Sequence, residues 1–168
     1  MIALIVLSVG LLGIVKLESA ALSSTTVAAK RSLAALEGDS LAAMMHVNRG
    51  YWSSGDASGA SIKVTGTTVA VTLGAANLAA SIAAPIACNS TTTPCSITNM
   101  AAYDLAQWAA ALNPLLPNYT GTINCAGAVV SCTINITWSE TAVAVNSTET
   151  NNTLAALQKP SYSLYVEP

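Results

Sequence analysis

From Met1 to Val15 the chain reads MIALIVLSVGLLGIV, a run without a single charge. Lys16 and Glu18 end the run, but the helical pattern continues past them. From Leu22, apolar residues recur at Leu22, Ala29, Leu33, Leu36, Met44 and Val47. Those steps of three, four, seven and eight keep to one face of a helix. Ser23, Thr25, Lys30, Arg31, Glu37 and Asp39 hold the facing positions, and no proline occurs before Pro85. The pattern predicts one helix from near Met1 to near Val47, about 70 Å long at the α-helical rise. Its first third is apolar all round and the rest is amphipathic. Such a division suits lipid or partner helices first and the flank of a globular head afterwards. Three simpler readings fit less well. A secretory signal would carry a basic region before the apolar run. A full membrane span needs about 20 apolar residues, more than this run holds. A buried core helix rarely stands at the extreme terminus without a capping residue. Gly10, Gly13 and Gly38 each weaken the helix by about 1 kcal/mol relative to Ala. In a bundle, Gly10 and Gly13 allow close backbone approach, which makes them candidate helix-packing positions.

Beyond Val47 the period changes. Gly50–Gly59 is a loop by composition. Ser61–Gly66 and Thr67–Leu73 alternate apolar and polar, with Ile62, Val64, Val69, Val71 and Leu73 on the apolar positions, and Gly66-Thr67 is a candidate turn between two strands. Ala75–Ile86 is Ala-rich and reads either as a helical turn or as irregular packing. A helix follows, capped by Ser96 or Thr98. Ala102, Leu105, Trp108, Ala109 and Leu112 share one face, and Asn113-Pro114 marks its expected end. Gly121–Cys125 and Cys132–Trp138 read as paired strands, with Ala126–Ser131 as their connection. Thr141–Val145 is a candidate short strand, Asn146–Asn152 a polar turn, and Pro160–Pro168 a last strand carrying Tyr162, Leu164 and Val166. Trp108 and Trp138 are the expected anchors of the head core. The order, one long helix and then strands around a short helix, predicts an α+β fold with the head packed on the polar half of the long helix. The expected division is 1-18 for the apolar part of the helix, 19-49 for its amphipathic continuation and 50-168 for the head.

Composition sharpens this picture. The 168 residues are 52% hydrophobic and only 8% charged, against about 25% charged in ordinary soluble domains. The net charge is −2 and no basic cluster extends beyond Lys30-Arg31. Phosphate backbones are held by several clustered cations, so nucleic-acid binding is not expected. Four cysteines fall in two close pairs, Cys88/Cys95 and Cys125/Cys132. Neither pair has the C-x-x-C spacing of structural zinc sites, and His46, the single histidine, lies far upstream. Disulfides are the better reading for an exported chain. Three connectivities are open, and pairing within each close pair gives the shortest loops.

Candidate chemistry is sparse. Asp104 stands one turn from Trp108 without a second carboxylate, a His or a nucleophile beside it, so Trp108 is read as a core anchor and Asp104 as a partner of nearby backbone. His46, at the end of the long helix, is read as a half-exposed structural residue. Asn89, Asn118, Asn135, Asn146 and Asn151 each open an N-x-Ser/Thr sequon, as chance allows in a chain so rich in these residues. No phosphate loop, catalytic triad or metal box is present, so neither a cofactor nor an enzymatic activity is expected.

Several segments resemble one family. MIALIVLSVGLLG is similar to the start of a type IV pilin helix, and its SVGLLG stretch resembles the PilV, or type IV pilus modification, group of minor pilins. HVNRGYW at His46–Trp52 resembles the end of that group's long helix. AAYDLAQW at Ala101–Trp108 and INITWSE at Ile134–Glu140 resemble segments of its head. Pilins of this class are made with a short basic leader ending in Gly, followed by a start resembling F-T-L-I-E-V. This chain begins where that stretch would end, so neither the processing site nor the near-terminal Glu can be assigned to a residue here. The expectation is a start displaced by trimming or by start-codon choice.

The resemblance implies a type IV pilin-like fold and a structural role. Such a subunit joins other minor pilins and the major pilin in a complex that primes assembly, and it is carried at or near the pilus tip. It would sit first in the bacterial inner membrane with a periplasmic head, then in the extracellular pilus, with a tip adhesin as a further partner. Two alternatives share the architecture. A minor pseudopilin of a type II secretion system differs in its neighbouring genes. A ligand-binding pilin, an adhesin or a DNA-uptake subunit, needs an aromatic or basic surface patch, for which Tyr51, Trp52 and Tyr119 are the candidates.

Overall fold

The computed structural model describes residues 2–89, 94–140 and 159–168. The strand expected at Thr141–Val145 and the turn expected at Asn146–Asn152 lie outside these residues. The first element, α1, is a single helix over Ile2–Val47. The face that enters the head is not the one the large apolar residues mark. Leu22, Leu36 and Val47 are 69%, 64% and 89% exposed. The buried stripe is Ala34, Gly38, Leu41, Met45 and Asn48, at alternating steps of four and three. Two rings reach the helix beside Gly38. A Cβ on Gly38 would come within 2.6 Å of the Tyr162 ring, and the Trp108 indole N–H donates to the Glu37 carbonyl at 2.9 Å. Gly38 therefore trades helix propensity for close approach.

The expected loop after α1 begins with a further helical turn, α2 at Arg49–Trp52. Burial explains it: Tyr51 and Trp52 both enter the core, with their rings edge-to-face at 5.1 Å. Next come β1 (Ser61–Thr65) and β2 (Thr68–Leu73). They form a tight hairpin with Gly66 at φ +58°, the conformation a two-residue turn with Gly in first position requires. The ambiguous Ala-rich stretch holds a helix, α3 at Ala76–Ala83, anchored by buried Leu78.

Helix α4 spans Ile97–Leu115, and the Ser96 hydroxyl accepts from the Asn99 N–H at 3.2 Å. It passes Asn113-Pro114, where the sequence marked its end. The Leu116 N–H still reaches the Leu112 carbonyl at 3.1 Å, and the chain turns extended only at Leu116. Leu116 precedes Pro117, so the restriction on a residue before proline acts there instead.

Three strands complete the sheet: β3 (Thr120–Ala126), β4 (Ser131–Thr137) and β5 (Ser161–Val166). The order is β2-β1-β3-β4-β5, with every neighbouring pair antiparallel. Alternate residues Ile62, Val64, Ile123, Ile134 and Ile136 point into the core with Trp108. Trp138 is buried as well, one residue beyond β4, where its N–H donates to the Pro160 carbonyl at 3.2 Å. The opposite face carries Ser, Thr and Asn. Both disulfides are local. Cys88 is bonded to Cys95 and Cys125 to Cys132, and the second pair joins register partners on β3 and β4. The architecture is pilin-like: an α+β head with its five-stranded sheet packed on the second half of one long helix.

Candidate functional site

The head grips α1 through its later turns. Arg31 donates through Nε and Nη2 to the two Glu140 carboxylate oxygens at 3.2 and 3.0 Å. Glu140 also accepts from the Trp138 indole at 3.1 Å. One largely buried carboxylate thus ties the helix to the end of β4. Asn48 closes the other end, with its amide donating to the Ile97 carbonyl at 2.8 Å.

Ahead of Arg31, several of the described apolar side chains of the helix point outward. Leu11, Ile14, Val15 and Leu17 are all more than half exposed. The polar stretch that follows turns its hydroxyls inward. Ser24 donates to the Ala21 carbonyl at 2.8 Å, and Thr25 and Thr26 both donate to the Leu22 carbonyl at 2.9 Å. Hydroxyls satisfied by their own helix do not need water, so these residues can face apolar neighbours at low cost. A Cβ added at Gly10 or Gly13 would meet no atom of the described residues within 4 Å. Nothing among the described residues calls for glycine at either position. No helix among the described residues is long and apolar enough to cross a membrane.

Among the described residues, grooves flank the buried half of α1. One, of about 510 Å³, lies between α1 and the start of α4, and is lined by Met44, Asn48, Cys95, Ile97, Met100 and Asp104. Asp104 makes no hydrogen bond to backbone among the described residues, contrary to the sequence expectation. It faces the groove among methionines because the α1–α4 contact holds it there. Burial pushes its carboxyl above the ordinary value of 3.8. The neutral acid is thus favoured in the fold. Its contribution to stability is complete below the unfolded value and is lost as pH rises through the folded one. Asp104→Asn should therefore raise the thermal midpoint at about pH 7 and leave it unchanged at about pH 3. An equal gain at both pH values would assign the effect to packing. The second groove runs between α1 and β5, with Asp39, His46, Leu164 and Glu167 on its walls. His46 is exposed there, not half-buried.

The aromatic residues considered for a ligand patch are all in the core. Tyr51, Trp52 and Tyr119 are buried. The Tyr119 hydroxyl donates to the Gly66 carbonyl at 2.5 Å, and burial pushes it up to about 12. Burial, helped by the charge of Asp56, does the same to Tyr51. These rings hold the head together and leave that patch without its surface. Of the five sequons, Asn118 lies in a left-handed turn (φ +52°) before β3, and Asn135 donates from β4 to the Ser163 hydroxyl at 2.6 Å. Asn89 is exposed, and Asn146 and Asn151 are outside the described residues.

Among the described residues, no group of three or more His, Cys, Asp or Glu could hold a metal ion. All four thiols are consumed in disulfides. Those bonds place the head in oxidising, extracytoplasmic surroundings. Sequence reasoning missed Glu140 and Gly121. Glu140 carried no signal, since one acid near a Trp predicts no partner 109 positions upstream. Gly121 carried one: a glycine inside a strand pattern marks close approach. A Cβ there would meet the Trp108 ring at 2.8 Å. Comparison with known proteins returned no match to a family model, to a curated protein or to a solved structure.

Proposed function

We propose that this chain is a minor pilin of the PilV-like group, a structural subunit that primes or modifies type IV pilus assembly and is carried at or near the pilus tip. The observation that carries the reading is the division of α1. Its second half packs on the head, while the apolar side chains described ahead of it, Leu11, Ile14, Val15 and Leu17, are exposed, and no described atom lies within 4 Å of a Cβ at Gly10 or Gly13. The residue patterns at Met1–Gly13, Ala101–Trp108 and Ile134–Glu140 support it. The subunit acts through packing and not through bond-making chemistry. Its apolar turns lie in the inner membrane before assembly and among the helices of the major pilin and other minor pilins afterwards. A tip adhesin is a further partner. Helices in lipid gain little from the hydrophobic effect, so their association depends on close contact between small residues. Gly10 and Gly13 supply it.

Deleting the gene should reduce sheared surface pili while the whole-cell level of major pilin stays constant. The wild-type chain should restore the yield. Gly10→Leu, Gly13→Leu or a chain beginning at Ser19 should not, although each keeps the head folded and its disulfides closed. Normal pilus yield in the deletion strain, or full rescue by the chain beginning at Ser19, would overturn the assembly role and leave a binding module as the better reading.

A further inference from the structure

β2 is an edge strand whose single neighbour in the sheet is β1. In an antiparallel pair, successive residues point their N–H and C=O alternately toward the partner and away from it. The two-residue turn makes Thr65 and Thr68 the closing hydrogen-bonded pair, with Lys63 and Ala70 the next. Thr68 and Ala70 are thus satisfied by β1, and Val69 and Val71 present their backbone groups outward. Among the described residues no other strand receives them. Soluble proteins usually blunt such an edge with a charge or a proline. Thr68–Leu73 reads TVAVTL and has neither. The irregularity in its pairing falls at the far end, opposite Ser61 and Ile62, and leaves 68–71 regular.

The segment Thr68-Val69-Ala70-Val71-Thr72 reads the same in both directions. We propose that β2 is a self-pairing edge, which joins two copies of this chain through an antiparallel β2–β2 contact about a two-fold axis at Ala70. That axis sets Val69 against Val71 of the second copy, and these are the residues whose backbone groups point outward. They exchange both bonds. Ala70 then meets its own copy in the pair without hydrogen bonds, where side chains approach most closely, and a methyl group is the side chain that fits. Thr68 faces Thr72, both exposed, and matched β-branched pairs of this kind stabilise sheets. No charge on the strand faces its like. A foreign extended segment would gain nothing from the palindrome, so the occupant is a second copy. An interface of this symmetry closes at two. It does not propagate a fibre, and it joins two heads from separate assemblies or two free molecules. The proposal goes beyond the assembly reading and stands without it.

The test is Ala70→Cys in the full chain, in detergent under mild oxidation. The two-fold brings the two introduced thiols together, so a disulfide-linked dimer is expected. Thr67→Cys, in the exposed turn and off the axis, should stay monomeric under the same conditions. Adding Val71→Pro to Ala70→Cys removes an outward N–H that β1 does not use, and should abolish the dimer with the head still folded by circular dichroism. Should that variant unfold, Ala70→Lys in the otherwise native chain puts like charges on the axis, and its loss of dimer is read by sedimentation against the parent. A monomeric Ala70→Cys, equal cross-linking at Thr67→Cys, or a dimer that survives both Val71→Pro and Ala70→Lys would overturn the self-pairing edge.

Discussion

Trp108→Ala is expected to cost the head about 3–5 kcal/mol, the range for emptying a large buried aromatic site. Trp108 is 1% exposed. Its ring lies over Gly121, where an added Cβ would be 2.8 Å away, and its indole N–H donates to the Glu37 carbonyl at 2.9 Å. It therefore bridges α4, the central strand β3 and the backbone of α1. The cavity left by Ala has poor prospects of collapse. One wall is bare Gly121, with no side chain to move in, and another is helix backbone. Against a total of about 5–15 kcal/mol for a domain, the loss brings the head close to unfolding at ambient temperature. Trp108→Phe keeps most of the apolar volume and gives up the N–H donor, so about 1–2 kcal/mol is expected. Urea unfolding of the full chain in detergent measures both. A loss under about 1 kcal/mol for Trp108→Ala would show that the α1–α4–sheet junction repacks freely, and would remove Trp108 from its place as the anchor.

The sequence carried the architecture because the architecture depends on period. A 46-residue helix and strands with clean alternation announce themselves through repeated apolar positions, and tight turns announce themselves through Gly66 and the proline positions. Side-chain size hid the seat of the head on the helix. Counting large apolar residues selects Leu22, Leu36 and Val47, whereas the close approach of the Tyr162 ring calls for Gly38. A pattern search rewards bulk, and an interface that brings backbone against aromatic rings rewards its absence. The same reason concealed the role of Gly121. The end of α4 was misplaced because the pre-proline rule applied at two sites in a row, Asn113-Pro114 and Leu116-Pro117, and packing of Leu112 and Leu116 in the core decided between them. For the candidate site, the change from a uniform to an amphipathic pattern put the expected boundary at residue 18, whereas the buried stripe of the helix begins at Ala34. The burial of Tyr51, Trp52 and Tyr119 was not legible, because an aromatic residue next to a glycine-rich loop reads equally as a surface platform or as a core anchor until its neighbours are known.

Removing the two disulfides one at a time should separate chain entropy from packing. Each bond joins residues seven positions apart, so loop closure gives the same contribution to both, roughly 2.5 kcal/mol. Their surroundings differ. Cys125 and Cys132 are 3% and 0% exposed, between Ile123 and Ile134 in the sheet core, whereas Cys88 and Cys95 are only partly covered. Cys125→Ala with Cys132→Ala takes two sulfurs out of the core and should cost about 1 kcal/mol more than the entropy alone. The backbone of Cys125 also holds the approach to β1. Its N–H donates to the Ala60 carbonyl at 2.9 Å, and its carbonyl accepts from the Gly59 N–H at 2.9 Å. Loosening β3 there reaches the start of the β1–β2 hairpin. Cys88→Ala with Cys95→Ala should cost at most the entropic part and leave the sheet undisturbed, since its effect ends at the groove that Cys95 helps to line. Thermal unfolding of the two double variants, each compared with the oxidised parent, gives the order. If the 88–95 variant lost as much as the 125–132 variant, the difference in burial would carry no energy, and the stapled loop would have to support the α1–α4 contact as firmly as the core bond supports β3 and β4.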